Sequence, residues 1–199
     1  MLPEYFEFLN PVKMLCGSGA LENIPYELDR LGVKKPLALV SRTLLEEGII
    51  ERIGGKLDAV IQSDIPKDSS FSLVDSVAKR AREEGCAGVL AIGGGRTRLI
   101  GTLLGKGMSF DDAMRELEGV TLESIVIATR TAKAVRALLS QGERTLRAML
   151  GSEWLTRGQP VPFVMVPTTS GTGSECTAVA VVQDDRSRLK QEIVSDQFL

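Results

Sequence analysis

Val89-Leu90-Ala91-Ile92-Gly93-Gly94-Gly95 decides how this chain folds, because four apolar residues run without a polar break into three glycines. A short apolar run with no alternation is what a parallel strand buried on both faces requires. Glycines at its end let the backbone turn sharply and bring amide groups close to a ligand. Working backwards, Ser72–Glu84 has helical spacing, with Leu73, Val77 and Ala81 facing inward, Ser69 or Ser70 as cap and Gly85 as stop. Ala59–Gln62 reads as a strand, and a helix capped by Ser41 or Thr43 runs through Ile53 to Gly54-Gly55. Leu37–Val40 is a strand behind Pro36. Ala20–Leu31 is a helix with Leu21, Ile24, Leu28 and Leu31 on one face and Gly32 at its end. Val12–Cys16 is a further short apolar run. Strands and helices in alternation with short connections predict an α/β fold: a Rossmann-like parallel sheet flanked by helices.

Downstream of the glycines the texture changes. Asp111-Asp112 starts a short helix to Glu118, and Thr121–Leu139 reads as a long amphipathic helix with Leu122, Ile125, Ala128, Ala132, Val135 and Leu139 on one stripe. Sheet texture returns with Pro162–Pro167, and Ala178–Gln183 with Leu189–Val194 forms a β-hairpin around Asp184-Asp185. The expected organisation is one domain over 1–199, with a helical insertion at about 96–142.

Composition narrows the function. The chain has 199 residues, 43% of them hydrophobic, enough for a sizeable core. Its 24 Lys and Arg against 26 Asp and Glu give a net charge of −2 without a single-sign block. This argues against nucleic acid as a partner, and no apolar run is long enough to span a membrane. Three widely spaced cysteines (Cys16, Cys86, Cys176) suit a reduced, cytoplasmic setting. Cys16 and Cys176 read as small packing residues. There is no histidine, so no His-based metal site, triad or general base can come from this chain. Glu46-Glu47 and Glu83-Glu84 read as solvated helix faces, and Trp154, the single tryptophan, as a packing residue in a loop.

Two loops carry the candidate chemistry. Gly93-Gly94-Gly95 can hold a diphosphate on backbone amides, with Arg96 as an added partner; a plain turn is the alternative. Pro167-Thr168-Thr169-Ser170-Gly171-Thr172-Gly173-Ser174-Glu175 also follows a strand and offers hydroxyls and an amide nest; an ordinary polar loop is the alternative. Lys190 reads either as a phosphate or ribose contact or as a solvated surface lysine.

Together these loops resemble the iron-containing (group III) alcohol dehydrogenases, as do Phe8-Leu9-Asn10-Pro11-Val12-Lys13 and Cys16-Gly17-Ser18-Gly19-Ala20-Leu21. The resemblance covers about residues 1–95 and 145–199 and implies that family's N-terminal dinucleotide-binding domain. It implies cofactor contacts by Gly94, Gly95 and Arg96 at the pyrophosphate, Thr168 and Thr169 beside the nicotinamide, Ser41 near the adenosine ribose, and Thr177 and Lys190. The implied cofactor is NAD or NADP, with Arg42 permitting NADP. The implied reaction is hydride transfer between a small alcohol or aldehyde substrate and that cofactor. A homodimer through an N-terminal strand at Tyr5–Leu9 is also implied.

The sequence departs from the family pattern in two ways. Arg96 stands where the glycine motif continues with Ser, and Thr131-Ala132-Lys133-Ala134-Val135 comes only after Arg130 has replaced the motif's Asp. The stretch from Arg98 to Val135 is itself similar, more loosely, to the helical C-terminal domain of NAD-dependent glycerol-3-phosphate dehydrogenases. The family's helical domain, with its Asp and His ligands for iron or zinc, is expected to be absent, so neither metal is expected to bind this chain. The alternatives are a non-catalytic, remnant or chimeric dinucleotide-binding domain and a glycerol-phosphate-type dehydrogenase.

Overall fold

The computed structural model describes residues 12–54, 57–66, 69–93, 127–142, 144–150, 161–168, 173 and 176–195, with side chains in the fourth of these stretches from Thr129. A parallel sheet is made of β1 (Pro36–Val40), β2 (Val60–Gln62), β3 (Gly88–Gly93) and β4 (Phe163–Pro167), in the order β2-β1-β3-β4. The strands align as Val40↔Ile92 and Ile92↔Val166. Leu37–Val40 and Val89–Ile92 are completely buried, as unbroken apolar runs in a doubly covered sheet must be. The α/β fold with a helix-flanked parallel sheet is therefore as the sequence indicates.

Side chains alternate across the sheet into two cores. Ala38, Val40, Leu90 and Ile92 pack against α1 (Ile24–Arg30), α2 (Arg42–Glu46) and α3 (Ile49–Arg52). Leu37, Leu39, Val89 and Ala91 face α4 (Phe71–Glu83) and α5 (Ile127–Ser140). A separate antiparallel ribbon, β5 (Val179–Gln183) and β6 (Lys190–Val194), adds Ala180, Val182 and Ile193 to the second core. This is the hairpin that the spacing around Asp184 predicts.

The helix stops are geometric. Cys86 N–H donates to Ala81 O at 2.8 Å and Gly85 N–H to Arg82 O at 3.0 Å. This pair of bonds closes α4 only if Gly85 adopts a left-handed conformation, and its φ is 69°. Gly32 ends α1 in the same way, with Val33 N–H on Leu28 O at 2.8 Å. Leu31, expected on the inner face of that helix, is the residue that caps it and is 47% exposed. It lies past the last helical turn, where the stripe no longer points at the sheet.

Three further expectations change. The single helix from Ser41 to Ile53 is two short ones, because Gly48 takes a φ of 72° between them. Val12–Cys16 forms no strand among the described residues. Most of α5 is buried on every side rather than along one stripe: Thr131 through Leu138 are all buried. Over residues 131–138 the helix lies between β3, α4 and β5, so no face of that span is left to solvent. It is also the crossover connection between β3 and β4.

Cys16 and Cys176 are exposed rather than buried, Cys16 ahead of the first helical turn and Cys176 just ahead of the ribbon. Glu46, Glu47, Glu83 and Glu84 are exposed as expected. The readings at Tyr5–Leu9, Asp111-Asp112 and Trp154 lie outside the described residues.

Candidate functional site

The chain runs from β1 outward to β2, then returns past β1 to place β3 on its other side. That reversal opens a crevice beyond the carboxyl ends of β1 and β3, which is where open α/β sheets hold ligands. Val40, Ile92 and Val166 lie at one level, so Ser41, Gly93 and Pro167 are the next residues up each strand. Both glycine- and threonine-rich motifs therefore begin side by side. Thr168 N–H donates to Gly93 O at 2.9 Å, which ties the start of one loop to the start of the other.

Four of the eight implied contact residues, Ser41, Thr168, Thr177 and Lys190, lie among the described residues. Ser41 stands at the end of β1, and its hydroxyl accepts from Leu44 N–H at 3.4 Å to cap α2. Its oxygen is thus shared between a structural cap and the mouth of the crevice. Thr168 is half-buried at the end of β4. Gly94, Gly95, Arg96 and Thr169 lie outside the described residues. Thr177 is exposed just before β5, at the far end of the loop that Thr168 opens.

Lys190 is exposed at the first position of β6, opposite Gln183. The extended run from Thr177 to Gln183 spans up to about 20 Å at the usual strand rise. The ribbon therefore holds Thr177 and Lys190 at opposite ends and does not bring them together. The turn end, with Lys190, is pinned to the start of α4: Gln183 N–H donates to Ser69 O at 2.8 Å, and Asp185 accepts from Ser72 N–H at 2.9 Å. Asp184 accepts from Arg147, from Arg186 N–H at 2.9 Å and from the Ser187 hydroxyl at 3.1 Å. The Arg147 guanidinium beside it, with these further donors, holds the Asp184 carboxyl well below the usual carboxylate range.

Sequence reasoning passed over one residue of this region as a group in its own right. Lys133, on α5, is fully buried. Its ammonium donates to the main-chain oxygen of Thr177 and to Thr177 Oγ1 at 3.0 Å. The local signal was the row of short side chains around it, Thr129, Thr131, Ala132, Ala134 and Ala137. These let neighbours close on the helix, but they do not by themselves show that the lysine is buried. Arg136 on the same helix donates to Val161 O at 2.7 Å and lies over the Phe163 ring, and burial lowers its guanidinium to about 10.

No three His, Cys, Asp or Glu side chains converge on a common point among the described residues. They do not fit an iron or zinc ion, and no step through a metal is assigned to them. Among the same residues no helix is long and apolar enough to cross a membrane.

Comparison with known proteins agrees with this fold. A probable alcohol dehydrogenase of Salmonella typhimurium, EutG, is 30% identical over 189 residues, covering 92% of this chain and 40% of that protein. The 4-hydroxybutyrate dehydrogenase of Cupriavidus necator is 27% identical over 175 residues, covering 85% of this chain and 38% of that one. The chain thus spans about two fifths of the length of these relatives. The crystal structure of sulfoacetaldehyde reductase from Bifidobacterium kashiwanohense in complex with NAD+ superposes with a TM-score of 0.73 at 20% identity. It covers 99% of this chain and 45% of its own, a likeness of fold. The sequence model of the family described as iron-containing alcohol dehydrogenase matches residues 11–129 and 126–199. The chain belongs to the iron-containing alcohol dehydrogenase family.

Proposed function

We propose that this chain supplies the dinucleotide-binding part of an NAD(P)-dependent alcohol dehydrogenase, in which hydride passes between a small alcohol or aldehyde and the nicotinamide. The observation that carries this reading is the levelling of the ends of β1, β3 and β4, which sets both ligand-type loops at one switch-point crevice. A dinucleotide laid across it would have Ser41 at one end, the backbone after Gly93 at its diphosphate, and the loop from Thr168 to Thr177 at the other end. Gly94, Gly95, Arg96 and Thr169 complete the proposed contacts. The cofactor would supply the hydride chemistry; the chain's residues bind it, orient it and shield one side of it from water. Lys190 contributes to this site only if the ligand extends along the ribbon.

The sulfoacetaldehyde reductase with a similar fold binds NAD+, which favours NAD. Arg42, beside the end of β1, is engaged by exposed Asp64 at 3.3 Å. That pairing leaves a 2′-phosphate in competition with a carboxylate for the same guanidinium. Residues 1–199 are taken as one domain with the segment at about 96–142 set into it, working in the cytoplasm as a homodimer. The relatives favour the alcohol dehydrogenase reading over a glycerol-phosphate-type one.

The test is titration of the metal-free chain with NADH and NADPH, read by energy transfer from Trp154. Saturable binding in the micromolar range is expected, tighter for NADH. A folded chain that binds neither overturns the reading.

A further inference from the structure

We infer that Lys133 is a positioning residue of the nucleotide crevice, reaching from inside the core to fix Thr177 where a dinucleotide's nicotinamide half would lie. The inference rests on the dinucleotide reading above and extends it to a residue that makes no direct contact with the proposed ligand.

The lysine is completely buried, yet the residue that receives its ammonium is exposed. Burying an ammonium is costly unless its donors are satisfied, so the site must be built around the bond it makes. Both oxygens of Thr177 take part, the main-chain carbonyl and Oγ1 at 3.0 Å. The two bonds fix the backbone of Thr177 and the rotation of its side chain together. An oxygen that accepts from Lys133 turns its own hydroxyl proton away from the ammonium.

The neighbouring buried cation shows what a purely architectural role looks like. Arg136 donates to Val161 O, ahead of β4, and stacks on Phe163, and these two contacts brace the start of a sheet strand. Lys133 holds Thr177, just ahead of β5 and on the chain segment that follows β4. Ser41 lies across the sheet from that loop, beyond β1, with β3 between β1 and β4. On the dinucleotide reading, a ligand crossing the strand ends would have one half near Ser41 and the other toward Thr177.

This separation gives a readout that a loss of packing would not produce. The whole chain is titrated with NADH by fluorescence and with ADP, the half-ligand, by calorimetry. Lys133→Met keeps the side chain's length without its donors, and Thr177→Val removes the hydroxyl alone. Each is expected to weaken NADH by about tenfold, the scale of one hydrogen bond to a charged or polar group, while ADP changes by less than about twofold. The double variant is expected to match Lys133→Met within about twofold, because without Lys133 neither oxygen of Thr177 is held and removing its hydroxyl adds little. Should Lys133→Met not fold, Lys133→Arg keeps the charge and shifts its geometry, and the NADH-to-ADP ratio is expected to move in the same direction by about threefold.

Equal loss of NADH and ADP, an unchanged ratio, or additive single variants would each overturn the positioning role. An unaltered chain that binds no NADH overturns the dinucleotide reading itself, and the inference with it. An unaltered chain that binds NADH while Lys133→Met binds it equally well overturns the inference alone.

Discussion

The two faces of the sheet are packed by different means. On the side of α1, α2 and α3, the described buried residues are all apolar: Ile24, Leu28, Val33, Leu44, Ile49 and Ile53 close on Ala38, Val40, Leu90 and Ile92. On the other side sit all the buried polar and charged residues among those described: Ser69, Thr129, Thr131, Lys133, Arg136, Asp184 and Ser195. Apolar packing is non-directional and tolerates short, broken helices such as α2 and α3. A core that includes hydroxyls and cations must satisfy each of them, and so fixes its neighbours in one arrangement. The face that holds the ribbon and Thr177 is the face built by specific bonds.

The largest effects should not distinguish the faces. Leu90→Ala on the α1 side and Leu39→Ala on the α4 side are each expected to cost about 2–5 kcal/mol in denaturant unfolding, since both side chains are fully buried in one shared sheet. A biphasic transition in either variant would break the comparison, by showing that the faces unfold independently.

Gly88→Ala separates the faces. A Cβ there would meet Val33 Cγ2 at 2.6 Å and Cγ1 at 2.8 Å, with Pro162 O at 3.2 Å. The expected cost is about 1–3 kcal/mol, and adding Val33→Ala should return part of it, because the clash is with an apolar neighbour that can be trimmed. No recovery in the double variant would place the strain on the backbone of Pro162 instead.

Asp184→Asn examines the polar face and has a pH signature. The native carboxyl titrates below its unfolded value of about 3.9, so its stabilisation is present above that pH and is lost as pH falls through the native value. The variant is expected to melt lower than the unaltered chain at pH 7, with the gap closing as the solution is acidified below about pH 4. A gap independent of pH would show that the charge of Asp184 plays no part.

The smallest effects lie at the helix starts. Ser70 caps α4 through Leu73 N–H at 3.2 Å and Ser41 caps the shorter α2 at 3.4 Å. Ser70→Ala is expected to cost about 1 kcal/mol and Ser41→Ala about 0.5 kcal/mol by thermal melting. A larger loss at Ser41 would mean that the apolar face depends on directional bonds after all.

This contrast also explains what could be read from the sequence. The strands at Leu37–Val40 and Val89–Ile92, the α4 helix with its Gly85 stop, and the Asp184 hairpin follow from local pattern and turn chemistry. The ends of β1, β3 and β4 were legible as a candidate site because each is an apolar run meeting glycine or hydroxyl residues. Lys133 was not legible as a buried group, since its neighbours lie far away in sequence, at Thr177, and only the closing of α4 and β5 around α5 removes it from water. The distance between Thr177 and Lys190 was hidden for a related reason: a hairpin's ends are near in sequence to different partners, and only the docking onto Ser69 fixes which end goes where.

The strand order β2-β1-β3-β4 also bears on how the chain reaches this structure. β3 is interior, yet neither of its partners is local: β1 precedes it by β2 and α4, and β4 follows only after α5. Each pairing must close a long loop before any of its contacts forms, which slows assembly of non-local sheets. Until then Val89–Ile92 is an apolar strand with both edges open, the kind of segment through which unfinished chains associate. The segment that defines the fold is therefore expected to be the one most in need of prompt cover as the chain is made.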